Sequence, residues 1–168
     1  MKKLFLLAAL SIGAAFFTGA KAQEISDNAI GLRLGGGGGF GAEVSYQRAL
    51  GMENNRLEVD LGWRNDSDQF SAFKVVGLYQ WVWNIEGDFN WYAGAGAGIG
   101  GVSDERDYEG VEADEGAFFA IAGDVGIEYN FDIPLMVSLD LRPEISLSSY
   151  DYFDDFTPDI AVSVRYQF

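Results

Sequence analysis

The 168-residue chain has no cysteine and no histidine. The first absence removes any disulfide framework, any thiolate nucleophile and any attachment point for a lipoprotein anchor. The second removes the commonest general base and metal ligand, and with it every Ser–His hydrolase arrangement. Proline is limited to three residues. No apolar run reaches the roughly 20 residues that a membrane-crossing helix needs. Cations are also scarce: 11 Lys and Arg stand against 26 Asp and Glu, a net charge of −15. A chain this acidic is repelled by nucleic acid, so no nucleic-acid partner is expected.

What the chain does have is glycine, 22 residues, and an aromatic content of 15%. That mixture suits many short strands joined by tight turns, within one domain. The start reads as a cleaved secretory leader over 1–22. Met1-Lys2-Lys3 supplies a basic head, 4–17 an apolar stretch too short to span a bilayer, and Ala20 and Ala22 the small residues before a cut. Without Lys2, Lys3 and Lys21, the domain 23–168 carries 8 Lys and Arg against 26 Asp and Glu, or −18.

From there the chain alternates with period two, the mark of strands with one apolar and one polar face. Ile30, Leu32 and Leu34 open the series, and Ala42, Val44 and Tyr46 continue it. Next come Leu57, Val59, Leu61 and Trp63, then Phe73, Val75, Tyr79, Trp81, Trp83 and Ile85. Three further strands are read over about 89–102, 117–130 and 135–147, and the last over 159–168. The glycine run 35–39 is not a phosphate cradle, because such loops open a helix bearing Lys and Ser/Thr. The next segment alternates instead, so the run is a turn. Connections at 51–55, 86–88 and 131–134 are short, and the three-residue loop 86–88 is expected to set Ile85 opposite Phe89, Trp83 opposite Trp91, and Gln80, Leu78 and Val76 opposite Gly94, Gly96 and Gly98. The connections at 103–116 and 148–158 are long and acidic, and 35–39 and 65–69 share their side. This predicts an all-β domain, an eight-stranded antiparallel up-and-down barrel, with short turns on one side and longer loops on the other.

Alternation does not say which face is outside. A lipocalin-like soluble barrel would turn the apolar face inward, but eight strands leave too little room for so many Trp, Tyr, Phe, Leu and Ile side chains. Turned outward, those residues face lipid. The glycines of the fifth strand, Gly94, Gly96, Gly98 and Gly100, then face in and make space. Charge sorts the same way. The polar strand faces hold Glu43, Glu58, Asp60, Asp124, Glu128, Asp140 and Glu144 against Arg33, Arg56, Arg64, Lys74, Arg142 and Arg165, nearly neutral as an enclosed interior requires. The loops hold Asp66, Asp68, Asp104, Glu105, Asp107, Glu109, Glu112, Asp114, Glu115, Asp151, Asp154 and Asp155 against Arg106 alone. A transmembrane barrel with a polar lumen is therefore expected.

The closing strand, with Val164, Tyr166 and Phe168 on its apolar face and an aromatic last residue, resembles the C-terminal insertion signal of bacterial outer-membrane β-barrels. With the layout of 23–168, the chain resembles the small eight-stranded outer-membrane barrels, including those called porin-like. That resemblance implies export through the periplasm of a Gram-negative cell and residence in the outer membrane. Its partners would be outer-membrane lipid and, during insertion, the barrel-assembly machinery, which would read Phe168, Tyr166 and Val164. Some small outer-membrane barrels are lipid-modifying enzymes with Ser–His-type sites, and no residue here can take those roles. No catalytic residue and no cofactor are expected.

Three residue sets remain as candidates. Arg33, Glu58, Asp60, Asp140, Arg142, Glu144 and Arg165 are expected to form a lumen charge network that fills the barrel, with Arg142 and Arg165, from neighbouring strands, beside Asp140 and Glu144. Trp63, Trp81, Trp83 and Trp91 are expected in an aromatic girdle at the lipid boundary. Asp104, Asp107, Glu109, Asp154 and Asp155 are oxygen ligands of the type that gathers divalent cations, without the D-x-D-x-D-G spacing of a calcium loop. Tyr108, Tyr150, Tyr152, Phe153 and Phe156 lie among the acids and favour a surface partner at 103–116 and 148–158. A structural or surface-interaction role comes first. A narrow conduit for small apolar molecules comes second, supported by Val76, Leu78, Val82, Tyr92, Phe118 and Met136 on inner faces.

Overall fold

The computed structural model describes residues 25–36, 41–51, 54–66, 70–104, 114–147 and 156–168, with only the backbone described at 65–66, 70, 102–104, 114–115 and 156–157. The leader expected over 1–22 lies outside these residues, as do most of the two long acidic loops. Eight strands follow in order: β1 (Asn28–Gly35), β2 (Ala42–Ala49), β3 (Asn55–Asp66), β4 (Phe70–Glu86), β5 (Phe89–Asp104), β6 (Asp114–Asn130), β7 (Leu135–Ser146) and β8 (Phe156–Gln167). Each pairs antiparallel with its sequence neighbours, and β1 closes on β8.

The register gives the barrel its shape. From Tyr166 the directly paired residues run through Ile30, Tyr46, Val59, Gly77, Ala97, Ile121 and Ile145, returning to β8 at Phe156, ten residues from the start. With ordinary strand spacings, a ten-residue stagger over eight strands tilts them by about 40°, so each residue climbs about 2.5 Å along the axis. The lower end carries the short turns and both described termini. The upper rim is uneven: β1 and β2 have 8 residues each, whereas β4 and β6 have 17. The wall over β5–β6 therefore stands about 20 Å above that over β1–β2.

The outer surface is apolar. Leu32, Trp63, Phe73, Ile99, Phe119, Ile127, Leu139, Ile160 and Val164 are all exposed, while Arg33, Arg142 and Arg165 are among the most deeply buried side chains in the molecule. This inverts the arrangement of a soluble domain. The inward glycines do two things. At Gly94, Gly98, Gly100 and Gly126 an added Cβ would meet the side chains of Gln80, Val76, Phe118 and Tyr92, so these glycines are sockets for large residues. At Gly31 and Gly96 it would fall 1.9 Å from a backbone oxygen of the next strand, Val164 O and Gly77 O respectively. Only glycine lets the wall bend that sharply, at two corners on opposite sides of the barrel.

The structure corrects several boundaries. The loop expected at 103–116 is shorter, because β5 runs to Asp104 and pairs it with Asp114 of β6. The loop expected at 148–158 loses its end to β8, where Pro158 pairs with Pro143. The loop expected at 65–69 gives up Asn65 and Asp66 to β3. The β4–β5 connection was expected to pair Ile85 with Phe89. Instead Glu86 pairs with Phe89, and Ile85 is an extra residue in a bulge. The turn is then the two residues Gly87-Asp88, with Gly87 at φ 55°, as a tight hairpin needs. Asn84 holds the bulge: its Nδ2 donates to Gly87 O at 2.8 Å and to Phe89 O at 3.2 Å. Above the bulge the expected register is undisturbed, pairing Trp83 with Trp91 and setting Gln80, Leu78 and Val76 opposite Gly94, Gly96 and Gly98.

Candidate functional site

The lumen is where chemistry-bearing side chains converge, because alternate residues of every strand point into it. Its upper cluster is built on three cations. Arg142, fully buried, donates from Nη2 to both oxygens of Glu43 at 2.8 and 2.6 Å, and from Nη1 to Asp60 Oδ2 at 2.7 Å. Its Nε lies 3.0 Å from Glu144 Oε1. Arg33 donates from Nε to Asp140 Oδ1 at 3.0 Å and from Nη1 to Asp159 Oδ2 at 2.6 Å and Glu43 Oε2 at 3.1 Å. Lys74 Nζ reaches Glu144 at 3.0 Å and Glu43 at 3.4 Å.

A second cluster lies nearer the lower end. Arg165 crosses the lumen, donating to Glu58 Oε1, Ser45 Oγ and Ser138 Oγ, each at 2.9 Å. Arg56 donates from Nε to Gln80 Oε1 at 2.6 Å, meets Glu128 Oε2 at 2.7 Å, and stacks its guanidinium 4.8 Å over the Tyr92 ring. Gln80 passes the chain on by donating to Asp124. The bonds of Arg142 to Glu43 and Asp60, of Arg33 to Asp140, of Lys74 to Glu144 and of Arg165 to Glu58 join strands that are not neighbours in the wall, so the network ties opposite sides together. Charge-assisted bonds of this kind, with forked guanidinium geometry, hold the side chains in one arrangement.

All seven residues expected in the charge network are in the lumen, joined by Glu43, Arg56, Lys74, Asp124, Glu128 and Asp159. Two expectations need correction. Arg165 was placed beside Asp140 and Glu144, but its carboxylate partner is Glu58. The near-neutral balance of seven acids and six bases also fails. Arg64 is exposed, and Asp159 is buried against Arg33. Among the described residues the lumen holds the carboxylates of Glu43, Glu58, Asp60, Asp124, Glu128, Asp140, Glu144 and Asp159 against Arg33, Arg56, Lys74, Arg142 and Arg165, eight to five. Asp159 is the first residue of the expected closing strand and parity already marks it as inward, so it belongs with the wall acids, from which it was left out.

The other half of the lumen is largely apolar, with Lys74, Asp124 and Glu128 its charged residues. On the inner faces of β4, β5 and β6, Val76, Leu78, Val82, Tyr92, Phe118, Ala120 and Ala122 are buried, together with Met136 from β7. Val76, Leu78 and Ala122 touch one another.

On the outer surface the four tryptophans divide between two levels. Trp83 and Trp91 stack with ring centroids 4.4 Å apart near the lower end, and Trp81 makes an edge contact with Tyr79 at 5.0 Å. Phe89, Tyr129 and Phe131, then Tyr166 and Phe168, extend the lower band. Trp63 instead pairs with Phe73 near the upper end. Phe73 and Trp83 are ten residues apart on β4, so the apolar belt between the bands is about 25 Å tall, matching the hydrocarbon layer that outer-membrane barrels span. Of the five oxygen-ligand candidates, Asp107, Glu109, Asp154 and Asp155 lie outside the described residues, and Asp104 is described only in its backbone. No group of acidic side chains among the described residues is arranged to hold a metal ion.

No family model matches the chain, and no curated protein is similar to it. Solved structures are. The N-terminal β-barrel domain of Pseudomonas aeruginosa OprF superposes with a TM-score of 0.67 at 13% identity, covering 87% of this chain and 100% of that one. Neisserial surface protein A superposes at 0.57 with 12% identity, over 84% of this chain and 94% of its own. Ail, the attachment invasion locus protein of Yersinia pestis, gives 0.55 with 15% identity, over 85% and 97%. The chain thus has the eight-stranded transmembrane-barrel fold of small outer-membrane proteins. At such identities the likeness extends to the fold alone.

Proposed function

We propose that this chain is an integral outer-membrane protein: a filled barrel held in lipid by its apolar belt, presenting acidic segments at 103–116 and 148–158 to a partner at the cell surface. One observation carries this reading, the inversion of the barrel, with a belt about 25 Å tall outside and ionic side chains inside. Burying so many charges in the lumen makes physical sense only if the outside is not water. The tall β5–β6 wall carries Asp104 and Asp114, the strand ends that bound the first acidic segment, above the apolar belt. In this reading Phe168, with Tyr166 and Val164, is what the assembly machinery reads, and the export route runs through the periplasm.

The test is fractionation of the protein expressed in a Gram-negative cell. The native chain floats with outer membranes and migrates faster unheated than boiled. Phe168→Asp leaves it unassembled in the periplasm. Normal assembly of that variant defeats the insertion role, and recovery of the native chain as a soluble periplasmic protein defeats the membrane reading. For the surface role, co-purification with and without 105–113 and 148–155 asks whether a partner is lost with the acidic segments.

A second reading, passage of small apolar molecules, is favoured by the largely apolar half of the lumen along β4–β6. It ranks second because the charged network occupies the remainder.

A further inference from the structure

The outer face of the barrel carries few polar side chains, and those few are gathered. Apart from Glu86 at the β4–β5 turn, the outward strand positions with a charge or an amide below Trp63 are, among the described residues, Asn28, Arg48 and Asn55. They stand side by side. Asn28 of β1 pairs with Arg48 of β2, Arg48 pairs with Leu57 of β3, and Asn55 is the outward residue below Leu57. Backbone bonds between Asn28 and Phe168, at 3.1 and 2.9 Å, set this patch level with the lower aromatic band. Trp81 of β4 flanks it, paired with Asn55.

Arg48 is exposed and makes no ion pair among the described residues, whereas Arg33, Arg56, Arg142 and Arg165 are buried in the lumen. Tyr46, the next outward residue above it, donates from Oη to Asn28 Oδ1 at 2.7 Å. That bond occupies the acceptor end of the amide and leaves Nδ2 as a donor. Higher on β2 come Val44 and Ala42, smaller than the residues paired with them, Leu32 and Leu61 beside Val44 and Leu34 beside Ala42. The outer face over β2 is thus a shallow aliphatic trough, rising about 15 Å from Arg48 to Ala42. Snorkelling to water would account for Arg48 alone. It does not account for the two amides and the trough around it.

We propose that Arg48, with Asn28 and Asn55, holds the phosphodiester of an anionic phospholipid in the periplasmic leaflet, whose acyl chain lies along the outer face of β2. A forked guanidinium matches two phosphate oxygens, and the amides add donors at the same level. The patch carries one positive side chain and no negative one, so it suits a headgroup of net negative charge better than a zwitterionic one. A phosphodiester is also the anion that a bilayer presents at this depth, directly below its hydrocarbon. The inference rests on the membrane reading above and adds a ligand class with a fixed place on the outer wall.

The test uses the full chain in nonionic micelles, with bound lipid counted by native mass spectrometry. Dioleoyl phosphatidylglycerol and dioleoyl phosphatidylcholine are supplied in equal amounts. The native protein is expected to retain phosphatidylglycerol with about tenfold preference. Arg48→Gln abolishes that preference, and Arg64→Gln, at the upper rim, leaves it unchanged. Equal retention of the two lipids by the native chain, or an undiminished preference in Arg48→Gln, overturns the site while upholding the membrane reading. Loss of the preference in Arg64→Gln as well means that net charge alone selects the lipid, and overturns it too. Glycerophosphoglycerol, the headgroup without its chains, is expected not to displace the lipid; displacement assigns the patch to a free phosphate ester and overturns the lipid. If Arg48→Gln does not assemble, Arg48→Lys decides: an ammonium cannot fork, so a fully kept preference overturns the forked contact. A native chain that stays in solution without micelles overturns the membrane reading itself.

Discussion

On β1, β2, β3, β7 and β8 the lumen is lined by Arg33, Glu43, Arg56, Glu58, Asp60, Asp140, Arg142, Glu144, Asp159 and Arg165. On β4, β5 and β6 it is lined by Val76, Leu78, Val82, Tyr92, Phe118 and alanines set against glycines, with Lys74, Asp124 and Glu128 the charged exceptions. Both halves fill the same narrow space, but they fail differently. In the ionic half each group depends on partners from several strands, so one deletion leaves several buried charges uncompensated. In the apolar half Val76, Phe118 and Tyr92 sit in glycine sockets and Leu78 packs with Val76 and Ala122, so a deletion leaves a local void and little else. The ionic half ties strands together across the barrel, and in the apolar half only Lys74, Gln80, Asp124 and Glu128 do so.

The sharpest way to break this contrast is Arg142→Ala. It leaves Glu43, Asp60 and Glu144 short of a cation and is expected to cost about 3–5 kcal/mol, read by urea unfolding in micelles. Val76→Ala, at similar depth in the other half, is expected to cost about 1.5–2.5 kcal/mol. Equal losses would mean that the network is ornamental. Arg142→Lys is expected to recover only part of the loss, since an ammonium cannot fork between two carboxylates.

Next in size is Gly126→Ala. Its Cβ would stand 2.5 Å from the Tyr92 ring and 2.8 Å from Leu139 O. Overpacking of this kind is expected to cost about 1–3 kcal/mol. The same substitution in Tyr92→Leu is expected to cost less, because part of the clash is with the ring. Full additivity of the two changes would show that Gly126 is not a socket for Tyr92.

These two substitutions also mark how far the sequence was legible. Period-two alternation is a backbone property, so strand number, facing and the pairing of Trp83 with Trp91 follow from parity and turn length. Sockets at Gly94 and Gly98 follow too, once parity sets Gln80 and Val76 opposite them. Three things do not follow. Strand ends in acidic segments are hidden, because Asp104 and Asp114 look like loop residues while their backbones still pair. The bulge at Ile85 depends on Asn84 bonding back to the turn, which alternation does not register. The partners in the lumen depend on side-chain reach across the barrel. Parity says that Arg165 points inward, but not that its guanidinium passes Asp140 to reach Glu58. The corners at Gly31 and Gly96 are legible only as glycines, since what makes them necessary is the path of the adjacent strand.

A smaller effect separates the outer surface from both lumen halves. Trp83→Leu removes the stack on Trp91 at the lower edge of the belt but leaves an apolar side chain facing lipid. The expected cost is about 0.5–1.5 kcal/mol, the worth of the aromatic pair beyond its area. A larger loss would mean that the stack also fixes the β4–β5 register beside the Ile85 bulge.

The smallest expected effect is a null. In planar bilayers the native protein is expected to show no steady conductance, because eight strands leave an interior that side chains can fill. Here the filling differs from side to side, and that predicts where a leak would first appear. Removing Leu78 leaves an apolar void beside Gly96, and such voids stay dry, so Leu78→Ala is expected to remain non-conducting. Removing Arg142 takes the cation from Asp60 and one of the cations from Glu43 and Glu144 in the upper lumen, and these carboxylates retain water rather than exclude it. Arg142→Ala is therefore expected to show brief, small, cation-preferring openings while the native chain is silent. Leakage through Leu78→Ala but not through Arg142→Ala would reverse the assignment, making the apolar half the seal. Steady porin-sized channels in the native chain would overturn the filled lumen altogether.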